Sequence, residues 1–571
     1  MAHHNQSRNP FVAPGQRSIA DVIGRVALDS SLPKTIGQNW CWGLRTICRA
    51  AGKDPASVPA HPDFLRRLMK SAAPAAIGLT PAAWNNARSL ANKALGWARI
   101  TTVPGRYYQA PYTPQWAALW AKLPPKSTLA FQLSRFFHYL SATAITPADV
   151  TDGVLEAFHQ ALVEESLVRD PWAAYRGAAK SWNNAAERIE GWPTVRLTVP
   201  TKRKQVFSLA WIDLPPPLRA EIDAYFQRAA RVDLDGDFAR PQRPQTIETR
   251  RKQVLWLAAA IVNSGIPLHS LTSLDLLLAP QTVQRGLYFL LNRRAENKSF
   301  PALASLAQFL PALARRSHLS DTTVDELERY KRALQVKQSG MAERHKKTLR
   351  KFDDPAAVHA LVRLPDRIRR EIEDSGRTGY RTAKLLQTAL AVDLLLYAPV
   401  RIGNLASTVI DRHIIVVRTM PRVVHLRFSA TEVKNRQDLE FPLPPETVEL
   451  LDLYLGKFRP LLSNKPSPFL FPGKTAEKPK VVGALRQQIS NTVYKYTALE
   501  MPPHRFRHAV GKIFLDRNPG QYGVVQRLLG HKRIETTIAF YAGEEGAAAA
   551  RHYHETILGL RTEARRTQAH G

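Results

Sequence analysis

Leu528 to Tyr541 reads LLGHKRIETTIAFY, and this stretch decides how the last third of the chain is read. A Gly-His pair, Gly530 and His531, is followed by Thr536-Thr537 and then by Tyr541. Gly530 permits a tight turn beside a ligand. A histidine there can donate a hydrogen bond to an anionic oxygen. A tyrosine on a helix is usually core, and Tyr522 and Tyr553 read that way; what sets Tyr541 apart is its company. Upstream, His504 to His508 reads HRFRH and Ala398 to Leu405 reads APVRIGNL. His504 and Arg507 are three apart and share one helix face. Pro502-Pro503 suits a helix start, and helix N-termini favour phosphate. Arg401 follows the apolar helical run LLLYAPV, at its end. Lys434 lies between two strand-like runs in EVKNRQDLEFPL, with Arg436 its nearest rival if the register slips.

Each residue has a plain reading by itself. Arg401 would be a helix terminus facing water, Lys434 a turn lysine, His504 and Arg507 a basic helix stripe. Together they suggest chemistry on a phosphodiester. Guanidinium forks pair bidentately with phosphate oxygens and suit the charge that grows on them in a transition state. A tyrosine hydroxyl can attack phosphorus and keep the bond energy in a phosphotyrosine.

In order and spacing, these four motifs resemble the tyrosine recombinase family, or phage-type integrases, over roughly the last third of the chain. The resemblance implies that Arg401 and Arg507 clamp the scissile phosphate and that Tyr541 is the nucleophile. It implies that Lys434 protonates the departing 5′ oxygen, that His504 assists proton transfer and that His531 bonds a phosphate oxygen. His508 is assigned a structural part. Three departures stand out. Phe506 replaces a leucine, Asn404 stands where the family often has an acid, and Tyr541 comes one residue later than in many relatives. One added residue turns a helix by about 100°, so a loop or bulge is expected to absorb it. The implied activity is site-specific DNA recombination by two pairs of subunits, a homotetramer on two double-stranded DNA sites, with no metal and no cofactor. A type IB topoisomerase and a non-catalytic DNA-binding relative are the alternatives.

Composition agrees with a polyanionic partner. The chain has 571 residues and a formal net charge of +33, which points to nucleic acid. The basic residues are spread along the chain rather than grouped beside an apolar segment, so no membrane partner is expected. The polar N-terminus does not read as a secretory signal, and the apolar run from Thr388 to Val400 contains Asp393 and reads as a buried helix. The two cysteines, Cys41 and Cys48, make neither a zinc site nor a disulfide scaffold. A cytoplasmic, nucleoid-associated protein is expected.

The fold class expected is mainly α with a small antiparallel sheet: helical N-terminal DNA-binding units followed by a tyrosine recombinase catalytic domain. Residues 1–105 and 106–200 read as helical units, 201–336 as a core-binding-like helical domain, 337–351 as a basic linker and 352–571 as the catalytic domain. Trp84-Asn85-Asn86-Ala87 recurs as Trp182-Asn183-Asn184-Ala185, each followed by a Gly-Trp pair. A third segment from Leu255 has the same helix–turn–helix shape. Pro215-Pro216-Pro217 is expected to stop a helix. In the linker, Arg344, Lys346, Lys347, Arg350 and Lys351 are candidates for tracking DNA phosphates. Asp233, Asp235 and Asp237 alternate like a calcium loop, but Phe238 and Pro244 stand where its glycine and closing glutamate would be. Beyond Tyr541 a helix with a modest apolar face (Ile557, Leu558, Leu560) is expected. It docks on a neighbouring subunit or on its own domain.

Overall fold

The computed structural model describes residues 16–102, 111–201, 209–232, 238, 240–293, 298–336, 343–417, 422–541, 550 and 553–561, with only the backbone described at 343–345. The alternating aspartates 233, 235 and 237 and the side chain of Arg344 lie outside the described residues. The chain forms two compact units, residues 1–200 with 340–571, and residues 201–339.

Helices begin where short polar side chains can cap them. Ser18 caps Ile19–Leu28 and exchanges bonds with Asp21 in a capping box. Thr80, Ser127, Thr151 and Asp170 each accept a backbone N–H at the start of their helices. Proline at the first turn recurs because no partner is lost there. For this reason the Pro215-Pro216-Pro217 run starts a helix, Pro216–Ala229, instead of stopping one.

One order of elements occurs three times. In the first set, Ile19–Leu28 and Lys34–Ala50 are followed by a 3-10 turn at Pro55–Ser57, then Pro62–Ser71 and Pro81–Trp97. The second set runs Pro114–Ala121, Thr128–Ala142, Pro147–Asp149, Asp152–Glu164 and Pro171–Arg188. The third, in the unit of residues 201–339, runs Pro216–Ala229, Pro244–Asn263, Leu268–Ser270, Leu274–Leu278 and Pro280–Asn292, then adds Pro301–Arg316 and Asp321–Ala333. In all three, a residue with positive φ sits three positions before the 3-10 turn: Gly52 (63°), Ala144 (54°) and Gly265 (101°). That left-handed residue reverses the chain after the long helix. Glycine does so freely and Ala144 at a cost. The Trp-Asn-Asn copies diverge in their tails. Gly96 remains inside Pro81–Trp97, whereas Gly191 (φ 70°) lies past the helix end. There Asn183 bonds both the N–H and C=O of Leu197. Each set has its own apolar core, and Cys41 and Cys48 are buried in the first.

The C-terminal part is built around Tyr380–Tyr397, whose residues 386–395 are all buried. No described helix is long and apolar enough to cross a membrane. Three antiparallel strands flank this core in the order β1 (Ile414–Val417), β2 (Val423–Phe428), β3 (Leu439–Pro442). Leu426 pairs with Ile414 on one side and Phe441 on the other. In β2, Val424, Leu426 and Phe428 are buried and alternate with more exposed residues, the two-residue period of a half-buried sheet. Helices Val482–Thr497, Pro503–Leu515, Tyr522–Leu529 and Ile534–Tyr541 follow. The architecture is mainly helical with one small antiparallel sheet. The first helical set touches this part directly, where the Tyr494 hydroxyl donates to the Ala72 carbonyl at 3.0 Å.

Candidate active site

Arg507 brings three separated stretches together. Its helix, Pro503–Leu515, starts at a proline, and its side chain is only 9% exposed. One terminal nitrogen donates to the Pro399 carbonyl and the other to the Leu529 carbonyl. Pro399 is two residues before Arg401, and Leu529 two before His531. Burial, with Arg401 nearby, takes the Arg507 guanidinium down to about 10, so it remains a cation at neutral pH.

Arg401 does not end the long apolar helix. That helix stops at Tyr397, and Arg401 is the N-cap of a short one, Ile402–Ala406. This turn from one helix to the next holds the guanidinium half-buried, and burial lowers its pKa. Its Nη2 donates to Asn435 Oδ1 at 3.0 Å. Asn435 Nδ2 in turn donates to the Gly530 carbonyl. Asn404 faces elsewhere, bonding the Glu432 carbonyl at 3.3 Å.

Lys434 lies in the turn between β2 and β3 and is exposed. The turn around it is tied down. The Glu432 carboxylate meets His413 Nε2 at 3.0 Å, Arg412 at 3.1 Å and Ser429. Burial pushes Glu432 up, but bonds from Ser429 and His413 outweigh it and bring it down to about 2. Val433 is buried in the main core, and Arg436 sits at φ 54°.

His504 is exposed on the first turn of Pro503–Leu515. His508, one turn on, stacks on Phe540 with ring centroids 5.4 Å apart. His531 follows Gly530, a left-handed helix C-cap (φ 58°). Its Nδ1 lies 2.9 Å from Thr537 Oγ1. Burial, then the positive charge of Arg507 and Arg401, brings His531 down to about 4. It is neutral at pH 7, with one ring nitrogen a donor.

Tyr541 closes Ile534–Tyr541 and is 1% exposed. It packs in a small cluster with Leu515, Val525 and Leu529. Its hydroxyl donates to the Arg507 carbonyl at 3.3 Å. A Cβ placed on Gly511 would sit 2.5 Å from this hydroxyl, so the ring rests against a glycine. Burial raises the Tyr541 pKa, partly offset by Arg507.

The structure thus gathers Arg401, Arg507, His531 and Tyr541 through bonds to each other's segments, with Lys434 one residue from Asn435. Residues 375–546, which contain all six candidates, match the phage integrase family. This segment is a phage integrase family domain.

The chain's likenesses to solved structures are weaker. The crystal structure of XerA recombinase is 16% identical, covering 59% of this chain and 98% of that chain at a TM-score of 0.25. A lambda integrase dimer bound to a COC′ core site is 15% identical, covering 66% and 88% at 0.33. XerH site-specific recombinase bound to difH substrate in a pre-cleavage complex is 10% identical, covering 57% and 92% at 0.29. Such low TM-scores add no weight to the family match. No curated protein matches the chain.

Of the basic residues before the integrase domain, Lys347, Arg350 and Lys351 are exposed and Lys346 is half-buried. The described part of this stretch is helical, Glu343–Leu349 and a 3-10 turn at Arg350–Asp353, anchored by buried Leu349 and Phe352. Sequence reasoning missed Asn435, Glu432 and Gly511. Only their neighbours, Lys434 and the HRFRH motif, gave any signal.

Proposed function

We propose that the protein is a site-specific DNA recombinase that cuts and rejoins strands through Tyr541. Arg401 and Arg507 hold the non-bridging oxygens of the scissile phosphate, and neutral His531 donates a hydrogen bond to one of them. The Tyr541 oxygen attacks phosphorus, and the P–O5′ bond breaks. The phenolic proton passes to His504, and Lys434 gives a proton to the departing 5′ oxygen. A 3′-phosphotyrosine and a free 5′-hydroxyl remain. The partner strand's hydroxyl then reverses the step, and bond energy is conserved throughout. Two pairs of subunits act on two double-stranded sites. The helical sets and the exposed Lys347, Arg350 and Lys351 supply contacts to phosphates, which position the protein without reading sequence.

The observation that carries this reading is the Arg507 side chain bonded to Pro399 and Leu529, with the Tyr541 hydroxyl on Arg507's own carbonyl. Two arginines, a neutral histidine and a tyrosine thereby share one place. At 1% exposure, Tyr541 must leave its cluster before it can meet DNA, so attack follows undocking of Ile534–Tyr541.

The test is a covalent adduct. The full chain is incubated with nicked duplexes drawn from the DNA flanking its gene, then denatured in detergent. A strand that migrates with the protein, and is released by protease, supports the reading. Absence of any adduct favours a non-catalytic DNA-binding relative. Relaxation of supercoiled plasmid without joining of two sites favours the topoisomerase alternative.

A further inference from the structure

We propose that Asn435, in the turn between β2 and β3, is the positioning residue for the Arg401 guanidinium. The inference rests on the recombinase reading and names a part of that site to which the sequence motifs gave no role.

Asn435 has both ends of its amide committed. The oxygen accepts from Arg401 Nη2 at 3.0 Å, and the nitrogen donates to the Gly530 carbonyl. A donor on one side and an acceptor on the other leave a single sensible orientation of the amide. The side chain therefore joins Arg401 to the residue just before His531, and its own backbone follows Lys434. Asn404, on the short helix that Arg401 caps, does not share this work, because its amide bonds the Glu432 carbonyl at 3.3 Å. The Glu432 carboxylate is also engaged, by His413, Arg412 and Ser429.

The group that orients Arg401 is therefore neutral. A carboxylate in that place would pair with the guanidinium and compete with the phosphate for it. An amide fixes the fork and leaves its positive charge for the incoming anion. Half-burial of Arg401 sharpens the point, since a cation already short of water gains most from an anionic partner.

The test compares two linkages at the strand position where the wild-type chain forms its adduct on DNA flanking the gene. One duplex carries the ordinary phosphodiester there. The other carries a neutral methylphosphonate, which removes the charge that Arg401 is proposed to balance. Asn435→Ala should slow adduct formation on the phosphodiester by about tenfold to a hundredfold, somewhat less than loss of a charge-stabilising donor itself. On the methylphosphonate its rate should approach that of the wild type. Asn404→Ala should show no such dependence on linkage. Equal slowing of Asn435→Ala on both linkages would mean a merely structural role and overturn the inference, as would no slowing on either. Both rates come from one protein preparation, so partial misfolding lowers them together and cannot imitate the expected result. A wild-type chain that forms no adduct on either linkage sinks the recombinase reading itself.

Discussion

The two ends of the candidate site differ in how firmly they are closed. At one end Tyr541 is 1% exposed, boxed in by Leu515, Val525, Leu529 and the bare face of Gly511. At the other, Lys434 stands exposed on a turn whose neighbours, Glu432 and Asn435, are pinned on either side of it. Between them Arg507 and Arg401 are already held. The two proposed phosphate clamps are thus held by bonds of their own, and the proposed nucleophile is packed away. On the proposed function, the contrast makes binding and cutting separable: a phosphate would meet the two arginines while the hydroxyl remains packed away.

The largest effect is expected at the closed end. Tyr541→Phe should abolish the covalent adduct, since phenylalanine has no oxygen to join to phosphorus. It keeps the ring in its cluster and loses one hydrogen bond of 3.3 Å to the Arg507 carbonyl, at a cost of about 1 kcal/mol. Gel-resolved adduct yield and thermal unfolding check the two halves. Adduct formation by this variant would remove Tyr541 as the nucleophile.

At the open end, activity and stability should part. Lys434→Ala should slow cleavage by about a hundredfold or more, as loss of a general acid does. Its exposed position leaves unfolding unchanged within about 0.5 kcal/mol. A substantial fall in Tm would show that the turn depends on this lysine, and the contrast between open and closed ends would then be lost.

Why some of this was legible in the sequence and some was not follows from the same contrast. The fold class and the strand runs were readable because Val424, Leu426 and Phe428 alternate with exposed neighbours. Arg401, Arg507, His531 and Tyr541 could be singled out together because their motifs resemble, in order and spacing, those of the phage-type integrases. Their supports could not. Asn435 is an unremarked asparagine until Gly530, 95 positions later, is brought to its amide. Gly511 is one glycine among many until the Tyr541 ring lies on it. The proline run at 215–217 misled because proline breaks a helix interior but opens a first turn equally well. A loop or bulge was expected to absorb the added residue before Tyr541; Ile534–Tyr541 is a plain α-helix preceded by a non-helical stretch at 531–533, with Phe540 turned onto His508 and Tyr541 into the cluster.

Gly511→Ala attacks the closed end more gently. The new methyl would lie 2.5 Å from the Tyr541 hydroxyl and 2.6 Å from its ring carbon, so the ring must shift. Overpacking of this kind costs about 1–3 kcal/mol, and every 1.4 kcal/mol spent against the docked state is about tenfold in the undocked fraction. Amide exchange across 534–541 should therefore quicken. If undocking precedes attack, adduct formation should quicken too. Faster exchange with slower cleavage would mean that the docked position is the reactive one.

The smallest expected effect is a dependence on pH. His531 is brought down to about 4 by burial and by two arginines, against 6.5 for an ordinary histidine. Between these values the unfolded chain takes up a proton at this residue and the folded chain does not. The unfolded state then binds more protons, so stability rises with pH through this window and falls as pH drops from 6.5 towards 4. His531→Gln should flatten that part of the slope, read as Tm against pH in parallel with the wild type. Adduct formation should show no step near 6.5 from this residue, since a neutral donor already occupies the site across that range. Such a step, lost in His531→Gln, would mean that the imidazole titrates normally and that the cations around it are farther from it, or better screened, than the packing of Arg507 and Arg401 implies.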